Sequence, residues 1–121
     1  MKSCLVVDDS PTVRKIMRRI MQTIGFEVSE AGDGREALAF CERQKPELIM
    51  LDWNMPVMDG LTFLRALRQM PGGDEPVVIL CSTVSELSNI EIALEAGASE
   101  YIMKPFDADL VRLKLEQTGL L

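Results

Sequence analysis

Polar side chains that could do chemistry stand directly after apolar segments at four places in this sequence. They are Asp8, Asp9, Asp52, Ser82, Thr83 and Lys104. Carboxylates can bind a hard cation or attack an electrophile, a hydroxyl can donate a hydrogen bond, and a lysine can neutralise an anion. This set of residue types predicts a site for a charged group rather than for an apolar ligand.

The residue types that the chain lacks narrow the chemistry further. There is no histidine, which excludes a Ser-His-Asp triad, a Cys-His pair and every metal site that contains histidine. Cys4, Cys41 and Cys81 are odd in number and far apart, so they fit neither a disulfide framework nor a zinc site. Their apolar neighbours predict that they are small core residues.

Composition and charge indicate one folded domain over residues 1–121. Hydrophobic residues make up 47% of the chain and charged residues 26%, and no linker or repeat interrupts it. The net charge of −6 argues against binding to nucleic acid. No apolar run approaches the roughly 18 residues of a membrane span, and no secretory leader is seen, so we expect a cytoplasmic protein with no membrane association.

Five short apolar segments alternate with segments of helical period. The predicted strands cover residues 4–7, 26–30, 48–51, 77–81 and 101–103. The predicted helices cover about 11–24, 34–44, 60–70, 86–96 and 107–117. Ser10 and Pro11 are typical of a helix start, and Val13, Ile16, Met17, Ile20, Met21 and Ile24 form one apolar face of that first helix.

The alternation of strands and helices predicts an α/β fold with a parallel sheet covered on both faces. The first, third and fourth strands are the most apolar and belong in the centre, whereas the second and fifth belong at the edges. We therefore expect a flavodoxin-like, doubly wound, five-stranded parallel sheet of order 2-1-3-4-5 with five helices.

The carboxyl ends of parallel strands share one edge of the sheet, so Asp8, Asp9 and Asp52 should converge where the connections switch faces. Each pair of these carboxylates repels by roughly 4 kcal/mol at 4 Å and an effective dielectric near 20. Lys104 and a hard divalent cation, Mg²⁺, are the expected counter-charges. Such a site can hold a phosphoryl group, with Ser82 as a hydrogen-bond donor and a carboxylate as the nucleophile that forms an aspartyl phosphate.

Several motifs carry a resemblance to a known family. They are VDDS at 7–10, LDWNMP at 51–56, DG at 59–60, AGA at 96–98 and KPF at 104–106. In this order and spacing they resemble the receiver domain of two-component response regulators over nearly the whole chain. The resemblance is closest to single-domain, CheY-like chemotaxis regulators.

The resemblance implies a role for each residue of the site. Asp52 resembles the phosphorylated aspartate, and Asp9, Asp52 and the backbone carbonyl of Asn54 resemble the Mg²⁺ ligands, with Asp8 acting largely through water. Lys104 resembles the lysine that pairs with phosphoryl oxygens, and its bond to Pro105 is usually cis in this family.

Further roles follow from the same resemblance. Ser82 and Tyr101 align with the hydroxyl and aromatic residues of the activation switch. Thr83, Val84 and Asn54 align with positions that tune access to the site or dephosphorylation, and Thr83 is larger than the small residue usual at its position.

The implied function is a stand-alone signalling switch in a phosphorelay of the two-component or chemotaxis type. A separate histidine kinase or phosphotransfer protein would supply the phosphoryl group, and a target such as a flagellar motor switch would bind the phosphorylated form. The implied catalysis is limited to the protein's own phosphorylation and dephosphorylation.

Three alternatives stay open at this point. One is an aspartyl-phosphate hydrolase of the haloacid dehalogenase type, although that family has Asp-x-Asp where this chain has Asp52-Trp53-Asn54. Another is a receiver trimmed from a larger response regulator. A flavin or nucleotide binder is disfavoured because no GxGxxG or GxxxxGK loop follows the first strand.

Overall fold

A computed structural model describes residues 2–121 as a parallel five-stranded sheet with helices on both faces. The strand order β2-β1-β3-β4-β5 confirms the predicted topology. The strands are β1 (Lys2–Val7), β2 (Phe26–Ala31), β3 (Leu48–Asp52), β4 (Val77–Ser82) and β5 (Glu100–Met103). The helices are α1 (Pro11–Ile24), α2 (Gly34–Arg43), α3 (Gly60–Gln69), α4 (Ile90–Glu95) and α5 (Ala108–Thr118).

Burial of the strands explains their order. Every residue of β3 is buried and only the first residue of β4 is partly exposed, as expected for central strands covered on both faces. Strand β2 alternates buried and more exposed residues, as expected at an edge. The register pairs Val7 with Leu51 and Asp52 with Cys81, so the carboxyl ends of β1, β3 and β4 lie side by side.

The core has two layers, one on each face of the sheet. Helices α1 and α5 contribute Met17, Met21, Val111 and Leu115 to one layer. Helices α2, α3 and α4 pack on the other face around Phe63. All three cysteines are buried and free, which confirms their predicted place in the core. Within residues 2–121, none of the helices is long and apolar enough to cross a membrane.

Side-chain caps start four of the helices immediately after strands or loops at the carboxyl edge of the sheet. Each capping oxygen accepts a hydrogen bond from the backbone N–H three residues later, which satisfies a donor that the helix itself leaves unpaired. The capping residues are Ser10, Asp33, Asp59 and Asp107. These caps fix the directions in which the chain leaves the strand ends.

The segment before β5 differs from the predicted helix over residues 86–96. A 3-10 helix, Val84–Asn89, comes first, and the α-helix is only the six residues Ile90–Glu95. Glu86 in the 3-10 segment accepts hydrogen bonds from Thr83 and from Asn54 of the loop after β3, so tertiary contacts that the periodicity does not show shape this segment. The prediction of one continuous helix here was wrong.

The predicted apolar face of α1 is only partly buried. Met17 and Met21 are fully buried, but Ile16 is 55% exposed. Six apolar positions cover a wider arc of the helix than the sheet can bury, so the outermost side chain faces a surface groove. The groove has a volume of about 410 Å³ and is also lined by Phe106.

Arg68 at the end of α3 holds together the segments that lead into β4 and β5. Its Nε and Nη2 atoms donate to the carbonyl oxygen of Gly97 at 3.0 and 2.7 Å. Its Nη1 atom donates to the carbonyl oxygens of Gly73 and Pro76 at 2.9 and 2.8 Å. One guanidinium therefore satisfies three backbone acceptors that no strand or helix pairs.

Replacing Arg68 by alanine should lower the free energy of unfolding by about 3 kcal/mol, because three partly buried carbonyl groups lose charge-assisted hydrogen bonds. Lysine should recover less than half of the loss, since one ammonium group cannot reproduce the planar donor set. Urea unfolding followed by circular dichroism measures both effects. Arg65→Ala, on the exposed face of the same helix, is the control and should change stability by under about 0.5 kcal/mol. Equal losses in the two alanine variants would contradict the assignment.

Candidate functional site

Three carboxylates converge at the carboxyl edge of the sheet. Asp8 follows β1, Asp9 comes next, and Asp52 ends β3. One oxygen of each lies within 4.8 Å of an oxygen of the other two. Asp8 is 2% exposed and Asp52 is 7% exposed, whereas Asp9 is exposed to solvent. The structure thus brings together the acidic residues that the sequence predicted to meet.

Lys104 places its charge between the two buried carboxylates. Its Nζ atom lies 3.2 Å from Oδ2 of Asp8 and 3.1 Å from Oδ1 of Asp52. The Lys104 backbone N–H donates to the carbonyl oxygen of Ser82 at 2.7 Å, which aligns the end of β5 with the end of β4. The bond from Lys104 to Pro105 is cis, as the family resemblance predicted.

Burial and like charge determine the ionisation of this pair. Burial raises the pKa of Asp52, and the nearby Asp8 raises it further, while Lys104 opposes both effects. Burial alone lowers the pKa of Lys104, but Asp52 and Asp8 outweigh it and the net pKa is raised. Lys104 therefore stays protonated at neutral pH. One lysine facing three carboxylates leaves negative charge at the site, which a divalent cation would neutralise.

The turn that carries Asp8 and Asp9 is anchored on both sides. Oδ1 of Asp8 accepts the Ser10 N–H at 2.9 Å, so this oxygen organises the start of α1. Arg14 donates to the Asp8 carbonyl at 2.6 Å and forms an ion pair with Glu30 of β2 at 3.2 Å. Both carboxylate oxygens of Asp8 are thus engaged, one by Ser10 and the other by Lys104.

Asp52 uses its two oxygens differently. Oδ1 accepts from the Trp53 N–H at 2.9 Å and from Lys104 at 3.1 Å. Across residues 2–121, Oδ2 accepts no hydrogen bond and has no ion-pair partner. The Asp52 side chain is therefore held by one oxygen, and the other is available for a cation or an electrophile. The backbone of Asp52 is also closely packed, because the chain returns to it at Gly60, where a Cβ atom would lie 2.3 Å from the Asp52 carbonyl oxygen.

The Ser82 hydroxyl is a polar group that the protein leaves unsatisfied. Ser82 is fully buried, and its Oγ atom has no hydrogen-bond partner in the part of the chain that the structure describes. An unsatisfied buried hydroxyl costs roughly 1–3 kcal/mol. Ser82 comes one residue after Cys81, the partner of Asp52 across the sheet. The Ser82 hydroxyl therefore destabilises the resting protein, but it is available as a hydrogen-bond donor at the strand end next to Asp52.

Asn54, Thr83 and Glu86 form a second polar group at this edge. The Asn54 Nδ2 atom donates to Oε2 of Glu86 at 2.7 Å. Oε1 of Glu86 accepts from the Thr83 N–H at 2.8 Å and from the Thr83 hydroxyl at 3.1 Å. Sequence reasoning missed Glu86, although Thr83 followed three residues later by glutamate is a capping-box pattern. The Val84 side chain, predicted to tune dephosphorylation, lies outside the described part of the structure.

Tyr101 lies apart from the acid cluster. It is partly buried on β5 opposite Leu80, and Lys114 of α5 lies over its ring at 4.7 Å from the centroid. Lys114 also forms an ion pair with Glu100 at 3.4 Å. Within residues 2–121, Tyr101 has neither a hydrogen bond nor an ion pair with Asp8, Asp9 or Asp52. Its predicted role in the activation switch is not tested by these contacts and stays a prediction.

The donor set fits Mg²⁺. Hard divalent cations prefer oxygen ligands, and this cluster offers three carboxylates in a sequence that contains no histidine. Exposed Asp9 and Oδ2 of Asp52 are protein atoms that could bind such an ion. The remaining positions of an octahedral ion would be left for water and for oxygens of a bound group.

A family model for the response regulator receiver domain matches residues 4–116. The chain belongs to the response regulator receiver family. Chemotaxis protein CheY of Bacillus subtilis is 36% identical over 115 residues, which are 94% of each chain. Transcriptional regulatory protein PrrA of Mycobacterium tuberculosis is 45% identical over 102 residues, which are 84% of this chain and 43% of PrrA.

Solved structures agree with this assignment. Chemotaxis protein CheY4 of Vibrio cholerae superposes with a TM-score of 0.90 at 31% identity and covers 98% of both chains. The receiver domain of NtrX from Brucella abortus gives a TM-score of 0.86 at 30% identity. This receiver chain spans less than half the length of the PrrA relatives that it matches. The CheY-like fold predicted from the sequence is thus confirmed.

Replacing Asp52 by asparagine should stabilise the metal-free receiver at neutral pH. Because burial and Asp8 raise the pKa of Asp52 above 3.8, the folded chain binds its proton more readily than the unfolded chain. Ionised Asp52 therefore destabilises the fold above the raised pKa, and this cost disappears as the pH falls towards 3.8. We expect Asp52→Asn to raise the free energy of unfolding at pH 7 by on the order of 1 kcal/mol.

Urea unfolding in a chelator, at neutral and at acidic pH, measures this difference. The stability advantage of Asp52→Asn should shrink as the wild-type carboxylate becomes protonated. Asp109→Asn, an exposed change of the same kind in α5, should give no such pH-dependent advantage. A less stable Asp52→Asn variant at pH 7 would contradict the electrostatic account.

Proposed function

We propose that this receiver accepts a phosphoryl group on Oδ2 of Asp52 from a histidine kinase or phosphotransfer protein, with Mg²⁺, and that the modification changes which partner it binds. The observation that carries the proposal is the pairing state of Asp52, with one oxygen fixed by Lys104 and Trp53 and the other open. We further propose that residues 1–121 act as one receiver domain in the cytoplasm.

The chemical step transfers phosphorus between two nucleophiles. Oδ2 of Asp52 attacks the phosphorus atom as the P–N bond to the donor imidazole breaks, and the electron pair of that bond stays on the imidazole nitrogen. Since the 121 residues contain no histidine, the phosphohistidine that donates the group lies outside them. Lys104, already 3.1 Å from Asp52, would neutralise charge on the transferred group.

The resting contacts of the other residues support their proposed roles. Asp9, Asp52 and the Asn54 backbone carbonyl would hold Mg²⁺, with Asp8 acting through water. Bound there, the ion supplies positive charge that offsets the phosphoryl oxygens. The Ser82 hydroxyl would donate a hydrogen bond to the phosphoryl group, which satisfies a buried donor that has no partner in the resting protein. This new bond would favour one position of the end of β4.

Partner binding is the proposed output. Similarity to CheY of Bacillus subtilis supports a chemotaxis-type target such as a flagellar motor switch. The higher identity to PrrA favours a second candidate, a transcriptional output of the kind that the name of PrrA describes. An aspartyl-phosphate hydrolase of the haloacid dehalogenase type is disfavoured, because the position of its second acid is occupied by Asn54.

Acetyl phosphate with Mg²⁺ should phosphorylate the wild-type protein on Asp52. We expect Asp52→Asn to lose labelling completely, because an amide is not a competent nucleophile, and the exposed variant Asp109→Asn to be labelled as the wild type is. Phosphate-affinity electrophoresis or intact-mass measurement provides the readout. Label that persists in Asp52→Asn would refute the phosphoacceptor assignment.

Mg²⁺ should change the fluorescence of Trp53, the only tryptophan, because its backbone N–H is bonded to Asp52. Asp9→Ala should weaken the apparent affinity by about tenfold or more, since it removes an anionic ligand. Titration with MgCl₂ at constant ionic strength measures the effect, and Asp109→Ala is the control. An unresponsive wild-type protein would count against the metal site.

A further inference from the structure

Glu86 is a buried carboxylate that the proposed chemistry does not use. It is 7% exposed and lies in the 3-10 helix that precedes α4. Among the residues whose side chains the structure describes, it accepts three hydrogen bonds, two from Thr83 and one from Asn54. A carboxylate removed from water to this extent needs such partners, so its position is closely determined.

Contacts at the start of the 3-10 helix account for only one of the two carboxylate oxygens of Glu86. The Thr83 N–H donates to Oε1 of Glu86, which is one half of a capping box. The Glu86 N–H donates to the Thr83 carbonyl oxygen at 3.0 Å, a backbone bond of the 3-10 type. Oε2 has a different partner, the carboxamide of Asn54, 32 residues away in sequence. The bond from Oε2 contributes nothing to the cap, so it needs a separate explanation.

The bond between Asn54 and Glu86 joins two loops that border Asp52. One loop leaves β3 directly after Asp52, and the other leaves β4 after Ser82. Asn54 is itself exposed, so without this bond its carboxamide would be free to rotate. With Nδ2 fixed on Glu86, the oxygen of the planar amide points to the other side. Glu86 therefore links the two loops and orients an amide two residues from the proposed phosphoacceptor.

We propose, building on the proposed phosphorylation of Asp52, that Glu86 is a positioning residue that lengthens the life of the aspartyl phosphate by tying the Asn54 and Thr83 loops together. Loss of the phosphoryl group requires water. The water oxygen bonds to phosphorus, the P–O bond to Asp52 breaks with its electron pair returning to the carboxylate, and the water proton leaves with inorganic phosphate. Loops that are held together restrict the approach of this water.

The test compares the lifetime of the phosphorylated protein among variants after removal of acetyl phosphate. Glu86→Ala should shorten the lifetime about threefold or more. Asn54→Ala, which breaks the same bond from its exposed end and leaves the capping box intact, should shorten it to a similar extent. The double variant should match the singles, because all three lack the same link.

Two further variants separate the link from capping and from charge. Glu86→Gln should keep the lifetime within about twofold of the wild type, since Oε1 of glutamine can still accept from Thr83 and its amide can donate to a flipped Asn54. Glu95→Ala removes one negative charge from α4 and should have no effect. Urea unfolding of each variant shows that the lifetimes do not simply follow stability.

Each outcome decides the inference. A wild-type lifetime in Glu86→Ala or Asn54→Ala overturns the inference. It is also overturned if the two effects multiply in the double variant, or if Glu86→Gln shortens the lifetime as Glu86→Ala does. If Asp52 is phosphorylated normally but the variants show any of these results, only the role of Glu86 is contradicted. Wild-type protein that takes no label at Asp52 overturns the proposed function and this inference together.

Discussion

Repulsion between carboxylates is the constraint on which this site depends. A parallel sheet brings the carboxyl ends of β1 and β3 side by side, and the chain places an acid at each of them. Left alone, such a cluster would oppose folding or draw a proton. Burial is the main cause of the raised pKa of Asp52, and repulsion from Asp8 adds to it. Lys104 follows β5, two strands away from β3, and its ion pairs with Asp8 and Asp52 offset part of the repulsion. Its single charge leaves the site in need of a further cation.

The pairing of their carboxylate oxygens distinguishes Asp52 from Asp8. A structural carboxylate in a buried position normally has both oxygens paired, as Asp8 does with Ser10 and Lys104. Among the described residues, Asp52 has only one oxygen paired, and the fully buried hydroxyl of Ser82, at the end of the neighbouring strand β4, has no partner. The resting protein thus leaves unsatisfied both a nucleophile and a donor that an incoming phosphoryl group would satisfy. Their cost is offset by the two apolar layers that cover the sheet.

Much of the fold could be read from the sequence because its signals are local. Continuous apolar runs identified the central strands, capping residues such as Ser10 and Asp59 identified helix starts, and polarity ranked strands between centre and edge. The errors fell where tertiary context decides. The segment before β5 forms a 3-10 helix followed by a short α-helix, and Ile16 is exposed because burial depends on how much of α1 the sheet covers. Similarly, strand topology predicted that Asp8, Asp9, Asp52 and Lys104 meet, whereas no pattern of spacing could show that Asn54 binds Glu86.

The central claim is that Asp52 alone among the clustered acids becomes phosphorylated. Reduction of the acetyl phosphate-treated protein with borohydride converts an aspartyl phosphate into homoserine, which peptide mass spectrometry locates in the sequence. The account predicts homoserine at position 52 only, and only when Mg²⁺ is present during the reaction. Homoserine at position 8 or 9, or at position 52 without any requirement for a divalent cation, would contradict it.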